Sequence, residues 1–138
     1  MSPTQHPLNV LICSSPADGH VNPAIPIAQE LVERGHDVRW YTGSAYRAAV
    51  EATGAQWRPI VDAHDPSDQP WEERFPGRAS LQRLAGLRFD LKHLFLDEAP
   101  GQIADLRRIH AERPVDVART RRAAVRELRD LRAPDPEP

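Results

Sequence analysis

The pattern that most constrains the fold lies in residues 8–35. Its first six residues, LNVLIC, form an apolar run that is long enough for a buried strand and too short for a buried helix. The polar residues that follow are turn formers, and Asn22 then offers the side chain of a helix N-cap. Apolar residues recur at helical spacing up to Gly35, a residue typical of helix ends. We therefore expect a helix from Asn22 to Arg34, and we place His20 in the loop at the carboxyl end of a strand, where open α/β sheets bind ligands.

The next segments predict two further strands with a helix between them. Residues 37–42 (DVRWYT) alternate as a half-buried strand does. Residues 45–52 carry alanines on one helical face and are followed by Gly54, which predicts a second helix. Residues 56–61 predict a short third strand, which Pro59 either places at the sheet edge or cuts short. This succession predicts an α/β fold with a Rossmann-like, doubly wound parallel sheet.

Residues 62–77 predict a loop that holds two aromatic side chains. The segment is rich in Asp, Pro and Ser and lacks apolar periodicity. Trp71 and Phe75 have two interpretations: they anchor the loop on the core, or they form a hydrophobic wall for a bound molecule.

Two helices and a fourth strand are predicted after this loop. In residues 78–99 the leucines follow one helical face, a pattern typical of a core helix. Pro100 and Gly101 interrupt the pattern, residues 102–112 predict another helix, and residues 115–117 predict the start of a strand.

The apolar pattern stops at Ala118. Arginines follow, which a buried parallel strand cannot hold unpaired, and the last five residues are rich in proline and expected to be disordered. We therefore divide the chain into a domain of residues 1–117 and a divergent, Arg- and Pro-rich, partly disordered tail of residues 118–138. Because this composition is what GC-rich DNA gives when read out of frame, we expect a truncated or frameshifted remnant. The alternative is a genuine helix over residues 118–131 that covers the sheet edge.

Composition excludes several classes of protein. The net charge is -2, so no basic surface indicates a nucleic-acid partner. The single cysteine excludes an internal disulfide, and neither the histidines nor this cysteine have metal-ligand spacing. No GxGxxG or P-loop motif indicates a bound cofactor, and no apolar run is long enough to span a membrane. These features indicate a cytoplasmic protein without cofactor or metal.

Residues 15–43, SPADGHVNPAIPIAQELVERGHDVRWYTG, resemble the N-terminus of GT-B glycosyltransferases. The resemblance is to the family-1 branch, which modifies macrolides and flavonoids, and it covers about residues 8–117. Its most specific part is GHVNP, residues 19–23, followed by the apolar helix. It implies that residues 1–117 are an incomplete N-terminal, acceptor-side domain and that a donor-binding domain is missing.

The resemblance also implies roles for individual residues. His20 corresponds to the catalytic base, which takes the proton of the acceptor hydroxyl, and histidine suits this role because its pKa is ordinarily about 6.5. The acceptor-binding residues that we expect are Asp18, Gly19, Asn22, Trp71 and Phe75.

The resemblance leaves the acidic partner of His20 without a match. In the family an Asp near the end of the fourth strand orients the histidine, as in other His–Asp pairs. That position falls near Arg121 here, where no carboxylate occurs. Asp116 is expected at the opposite end of the strand, and Asp18 is the alternative partner close in sequence.

Three functions fit the sequence. The first is the acceptor-binding half of an inverting transferase that uses a UDP- or dTDP-sugar as co-substrate, glycosylates a hydrophobic alcohol or phenol, and is inactive alone. The second is a non-catalytic α/β module that binds a small molecule or a partner protein. The third is a nucleotide-binding, flavodoxin-like domain. A truncated domain leaves a sheet edge and an apolar helix face uncovered, which predicts self-association.

Overall fold

A parallel sheet of four strands organises the chain. The computed structural model describes residues 6–119. The strands are β1 (Asn9–Cys13), β2 (Asp37–Tyr41), β3 (Gln56–Arg58) and β4 (Val117–Arg119). Their order is β3-β2-β1-β4, and every pairing is parallel. The predicted α/β fold with a parallel sheet is confirmed.

Six α-helices, with short 3₁₀ and π segments among them, lie between the strands along this part of the chain. The helices are α1 (Asp18–Val21), α2 (Ile25–Glu33), α3 (Arg47–Ala52), α4 (Trp71–Arg74), α5 (Arg83–Leu91) and α6 (Ala99–Glu112). The 3₁₀ segments are Asn22–Ala24, Ser44–Tyr46 and Arg78–Ser80, and the π segment is Lys92–Leu96.

The two faces of the sheet carry separate apolar clusters. Successive strand residues point to opposite faces, so Val10 and Ile12 lie in the cluster covered by α2 and α3, and Leu11 lies in the other. Leu106 and Ile109 of α6 cover that second face. Helices on both faces make the sheet doubly wound, as the sequence predicts.

The predicted start of the first long helix at Asn22 is wrong. The helical path begins at Asp18, because the amides of His20 and Val21 both donate to the carbonyl of Ala17 (2.9 Å each). Asn22 lies inside this path, and its side chain caps no helix. Pro23 and Pro26 lack N–H donors, which explains why a 3₁₀ segment separates α1 from α2.

The helix predicted over residues 78–99 is present in part, but its predicted start and its burial are wrong. The α-helical part begins at Arg83, and Pro100 lies in the first turn of α6, where its missing N–H costs nothing. Leu84 and Leu87 are 62% and 54% exposed, so their stripe does not face the core. Leucine spacing indicates a helix face but does not identify what covers it.

The fourth strand begins two residues later than predicted, at Val117, and contains Ala118 and Arg119. It is the outer strand of the described sheet, so the Arg119 side chain reaches solvent. The predictions for the tail after this strand fall outside the described residues.

A buried arginine joins β2 to α6. Arg39 is 1% exposed, and its guanidinium donates to the carbonyls of Ile109 and Arg113 (2.8 Å each). Burial, and next the nearby Arg113, lower the pKa of Arg39. These bonds satisfy carbonyls at the carboxyl end of α6, where a cation is favoured.

Candidate functional site

The loops after β1, β2 and β3 meet at the carboxyl edge of the sheet. Gly43 marks the contact: a Cβ atom there would lie 2.6 Å from Asp65 Oδ1 and 2.6 Å from Pro16 Cβ. Ser14 lies beside them, and its hydroxyl accepts a hydrogen bond from Trp40 Nε1 at 2.8 Å. This is the edge at which open α/β sheets bind ligands.

His20 lies in the short helix α1, which follows the loop after β1. It is half-buried, and it occupies a helical turn rather than the open loop that the sequence predicts. Within residues 6–119, His93 is the one histidine with a carboxylate oxygen within 4 Å of a ring nitrogen, contributed by Asp97 at 2.7 Å. The imidazole of His20 therefore has no acidic partner in this part of the chain.

Asp18 pairs with a tyrosine instead of His20. The Tyr46 hydroxyl donates to Asp18 Oδ1 at 2.8 Å, which connects α1 to the 3₁₀ segment after β2. This hydrogen bond raises the pKa of Tyr46, with burial as a smaller cause. The sequence analysis did not identify Tyr46. Gly43 directly follows a predicted strand, and a polar aromatic residue three positions later could have indicated a residue at the carboxyl edge of the sheet.

Gly19 and Asn22 are both exposed in the same helical path as His20. A Cβ atom on Gly19 would have nothing within 4 Å, so this glycine is not required by protein packing. The structure thus brings Asp18, Gly19, His20 and Asn22 together at the carboxyl edge.

Trp71 and Phe75 lie in a separate aromatic cluster. Their ring centroids are 4.6 Å apart, and Phe75 contacts Phe89 at 5.1 Å and His93 at 4.9 Å. Neither residue belongs to the two apolar clusters that cover the sheet. The interpretation that they anchor the loop on the core is therefore wrong, and both remain half-buried.

A buried carboxylate holds the loop after β3. Asp105 of α6 is fully buried and accepts hydrogen bonds from the amides of Val61 (3.0 Å) and Asp62 (2.9 Å). It also accepts hydrogen bonds from the Tyr41 hydroxyl (2.9 Å), Arg108 (2.6 Å) and the Ala63 amide (3.4 Å). Burial alone would raise the pKa of Asp105, but these hydrogen bonds outweigh it and hold the pKa below its usual range.

No protein-family model matches the chain. Over 108 residues, 78% of its length, the chain is 47% identical to 4'-demethylrebeccamycin synthase of Lentzea aerocolonigenes and covers 26% of that protein. The glycotransferase of kitacinnamycin superposes with a TM-score of 0.60 at 28% identity, over 83% of this chain and 24% of that one. The chain is a family-1, GT-B glycosyltransferase-like protein. It spans about a quarter of the length of these relatives.

The calicheamicin glycosyltransferase CalG4 shares the fold of this glycosyltransferase-like chain. The TM-score is 0.62 at 18% identity, over 83% of this chain and 26% of that structure. At this identity the likeness concerns the fold alone.

Asp116 lies at the amino end of the sheet, which is where the sequence analysis expects it. Asp116 accepts a hydrogen bond from the amide of Asn9 at 2.8 Å, at the amino end of β1. As the sequence analysis expects, Asp116 is therefore too far along the sheet to orient His20. The position near Arg121, where the resemblance implies the acidic partner, lies outside the described residues.

Two surface grooves of the glycosyltransferase-like chain are lined by residues other than His20. One of about 730 Å³ is lined by Leu8, Leu31 and His36 near the amino end of the sheet. Another of about 720 Å³ runs past Leu84 and Phe89.

Between positions 6 and 119, no three histidine, cysteine or acidic side chains are placed to hold a metal ion. No helix in this range has the length and apolar character needed to span a membrane.

Proposed function

We propose that the chain forms the acceptor side of an inverting glycosyl-transfer site, in which His20 is the general base. The observation that carries this proposal is the position of His20 on the first helical turn after β1, at the carboxyl edge, beside exposed Gly19 and Asn22. The similarity to 4'-demethylrebeccamycin synthase supports the reaction class.

The proposed chemistry needs one proton acceptor from this chain. His20 takes the proton of an acceptor hydroxyl as its oxygen attacks the anomeric carbon of the sugar. The bond from that carbon to the nucleoside diphosphate breaks, and the diphosphate leaves with the electron pair. General-base help of this kind is worth about 10²- to 10⁴-fold in rate.

The acceptor that we propose is a hydrophobic alcohol or phenol. The cluster of Trp71, Phe75 and Phe89 offers half-buried aromatic surface for such a molecule. Asp18, Gly19 and Asn22 would contact its polar end, since they share the helical path of His20.

The co-substrate that we propose is a UDP- or dTDP-sugar held by a second domain. Residues 6–119 form one sheet, and we assign its carboxyl edge to the acceptor. We therefore expect the chain to bind acceptors alone but to transfer sugar only when a donor-binding domain is supplied.

Calorimetry followed by a complementation assay tests the proposal. The chain is titrated with a panel of phenols and macrolides and then with UDP-glucose, and it is fused to the donor-binding half of 4'-demethylrebeccamycin synthase to measure turnover. His20→Ala should abolish turnover by the fusion and leave the melting temperature unchanged. His6→Ala is the matched control, because His6 lines the groove near the other end of the sheet. Full turnover by the His20→Ala fusion would remove His20 from the mechanism.

A non-catalytic binding module is the second candidate. It is favoured by the lack of a carboxylate oxygen within 4 Å of the His20 ring nitrogens among residues 6–119. In that case phenols or macrolides bind the chain, and the fusion shows no turnover. Binding of UDP-glucose alone would instead indicate a nucleotide-binding domain.

A further inference from the structure

We infer that Asp65 is a positioning residue for the segment that carries His20. Asp65 lies in the loop after β3 and reaches the 3₁₀ segment Ser44–Tyr46, which follows β2. The positioning role of Asp65 does not depend on the proposed function. Its expected effect on acceptor binding does rest on that function.

The first step is the contact between these two loops. Asp65 Oδ2 accepts a hydrogen bond from the Ser44 amide at 2.6 Å, and the Ser67 hydroxyl accepts one from the Ala45 amide at 3.2 Å. Asp65 Oδ1 in turn accepts from the Ser67 amide (2.9 Å) and hydroxyl (2.6 Å). The amides at the start of the Ser44–Tyr46 segment thus find their partners in another loop, because that segment has no side-chain cap of its own.

The second step leads from this segment to α1. Tyr46 is its last residue, and the Tyr46 hydroxyl donates to Asp18, two residues before His20. The tyrosine ring packs against the apolar cluster beneath α2 and α3, which limits its rotation. A shift of the Ser44 backbone therefore moves the group that holds Asp18.

The third step is the close packing of the two loops. A side chain at Gly43 would collide with Asp65, Ser67 and Pro16, so the loop after β3 lies directly against the backbone between β2 and the Ser44–Tyr46 segment. At its other end the same loop is fixed by Asp105 through the amides of Val61 and Asp62. Asp65 completes a series of contacts from buried Asp105 of α6 to the His20 segment.

The test compares Asp65→Asn with Tyr46→Phe by NMR. Asp65→Asn keeps one acceptor oxygen instead of two, and that oxygen is favoured opposite the amide and hydroxyl of Ser67, so the bond to the Ser44 N–H is lost. We expect hydrogen exchange at Ser44 and Ala45 to accelerate about fivefold or more, and the His20 Cε1 proton signal to shift. Tyr46→Phe should shift the same His20 signal while Ser44 and Ala45 keep their protection. An unmoved His20 signal in either variant would overturn the inference.

Asp68→Asn is the matched control, since Asp68 lies in the same loop and its side chain is exposed. It should leave all these signals unchanged, and changes equal to those of Asp65→Asn would show a general loosening of the loop and refute a specific role. Asp65→Asn and Asp68→Asn are also titrated with a phenol that binds the wild-type chain. Only Asp65→Asn should bind this phenol more weakly than the wild-type chain does. If the wild-type chain binds no phenol or macrolide, the proposed function fails, and the NMR comparison still decides the role of Asp65.

Discussion

The hydroxyl of Tyr41 donates to the carboxylate of Asp105 at 2.9 Å, and this bond joins the last residue of β2 to the inner face of α6. Both side chains are buried. Burial first, and then the hydrogen bond to Asp105, raise the pKa of Tyr41, so the hydroxyl stays protonated and remains a donor. The pair thus fixes the helix beneath the loop that reaches the candidate site.

Replacing Asp105 should destabilise the protein strongly. Asp105→Ala leaves the amides of Val61 and Asp62, the Tyr41 hydroxyl and the Arg108 guanidinium without their shared acceptor. We expect a loss of about 3–5 kcal/mol in the free energy of unfolding, measured by urea denaturation. Asp62→Asn is the control: it removes an exposed ion pair with Arg108 and should cost about 1 kcal/mol or less. Equal losses in the two variants would contradict the buried role of Asp105.

Acid should weaken the fold through the same carboxylate. The folded-state pKa of Asp105 lies below its unfolded value, so the stabilisation is fully present above about pH 4 and is lost as the pH falls through the folded pKa. The free energy of unfolding, measured between pH 2 and pH 7, should therefore fall with decreasing pH, and Asp105→Asn should show a shallower fall. A parallel pH dependence in both proteins would exclude Asp105 as the source.

Two glycines should respond differently to alanine. A Cβ on Gly101 would lie 2.5 Å from the Asp62 carbonyl oxygen and 2.6 Å from the Ala63 backbone, which cannot rotate away. We expect Gly101→Ala to cost about 1–3 kcal/mol, whereas Gly19→Ala, with open space around it, should leave stability within about 0.5 kcal/mol. Thermal melts of both variants provide the measurement. If Gly19→Ala keeps its stability but binds phenols less well, Gly19 is needed for close approach of the acceptor.

The exposed leucines of α5 should promote self-association. Leu84 and Leu87 are more than half exposed, and large exposed apolar surface favours contact between copies. We expect the double substitution Leu84→Gln and Leu87→Gln to change the unfolding free energy by less than about 1 kcal/mol and to reduce the apparent mass in sedimentation. The control is Ala85→Gln on the same helix, which removes little apolar surface. An unchanged apparent mass of the double variant would show that Leu84 and Leu87 do not mediate self-association.

The sequence predicted residues 8–58 much better than the rest. In β1 and β2 the apolar runs are short and end at turn formers, and Gly35 and Gly54 adopt positive φ (84° and 87°) after α2 and α3, so local patterns determine those elements. Residues 78–112 were less predictable, because a proline such as Pro100 breaks a helix interior but suits a first turn equally well.

The contacts of the candidate site were predictable only in part. The position of His20 at the carboxyl edge followed from the strand–turn–helix order. The bonds from Tyr46 to Asp18 and from Val61 to Asp105 join residues 28 and 44 positions apart, and no local pattern reports such pairs.

The pairing of β1 with β4 has a consequence during synthesis. The amide of Asn9 and the side chain of Asp116, which meet at the start of this pairing, are 107 residues apart. β4 is the second neighbour of β1 in the sheet, after β2. At about 5–20 residues per second, the ribosome needs about 5–20 s to synthesise the chain up to β4 after β1 has emerged. Throughout this interval one edge of the most apolar strand stays open to nascent chains and chaperones, so the yield of native protein should depend on how fast the later codons are translated.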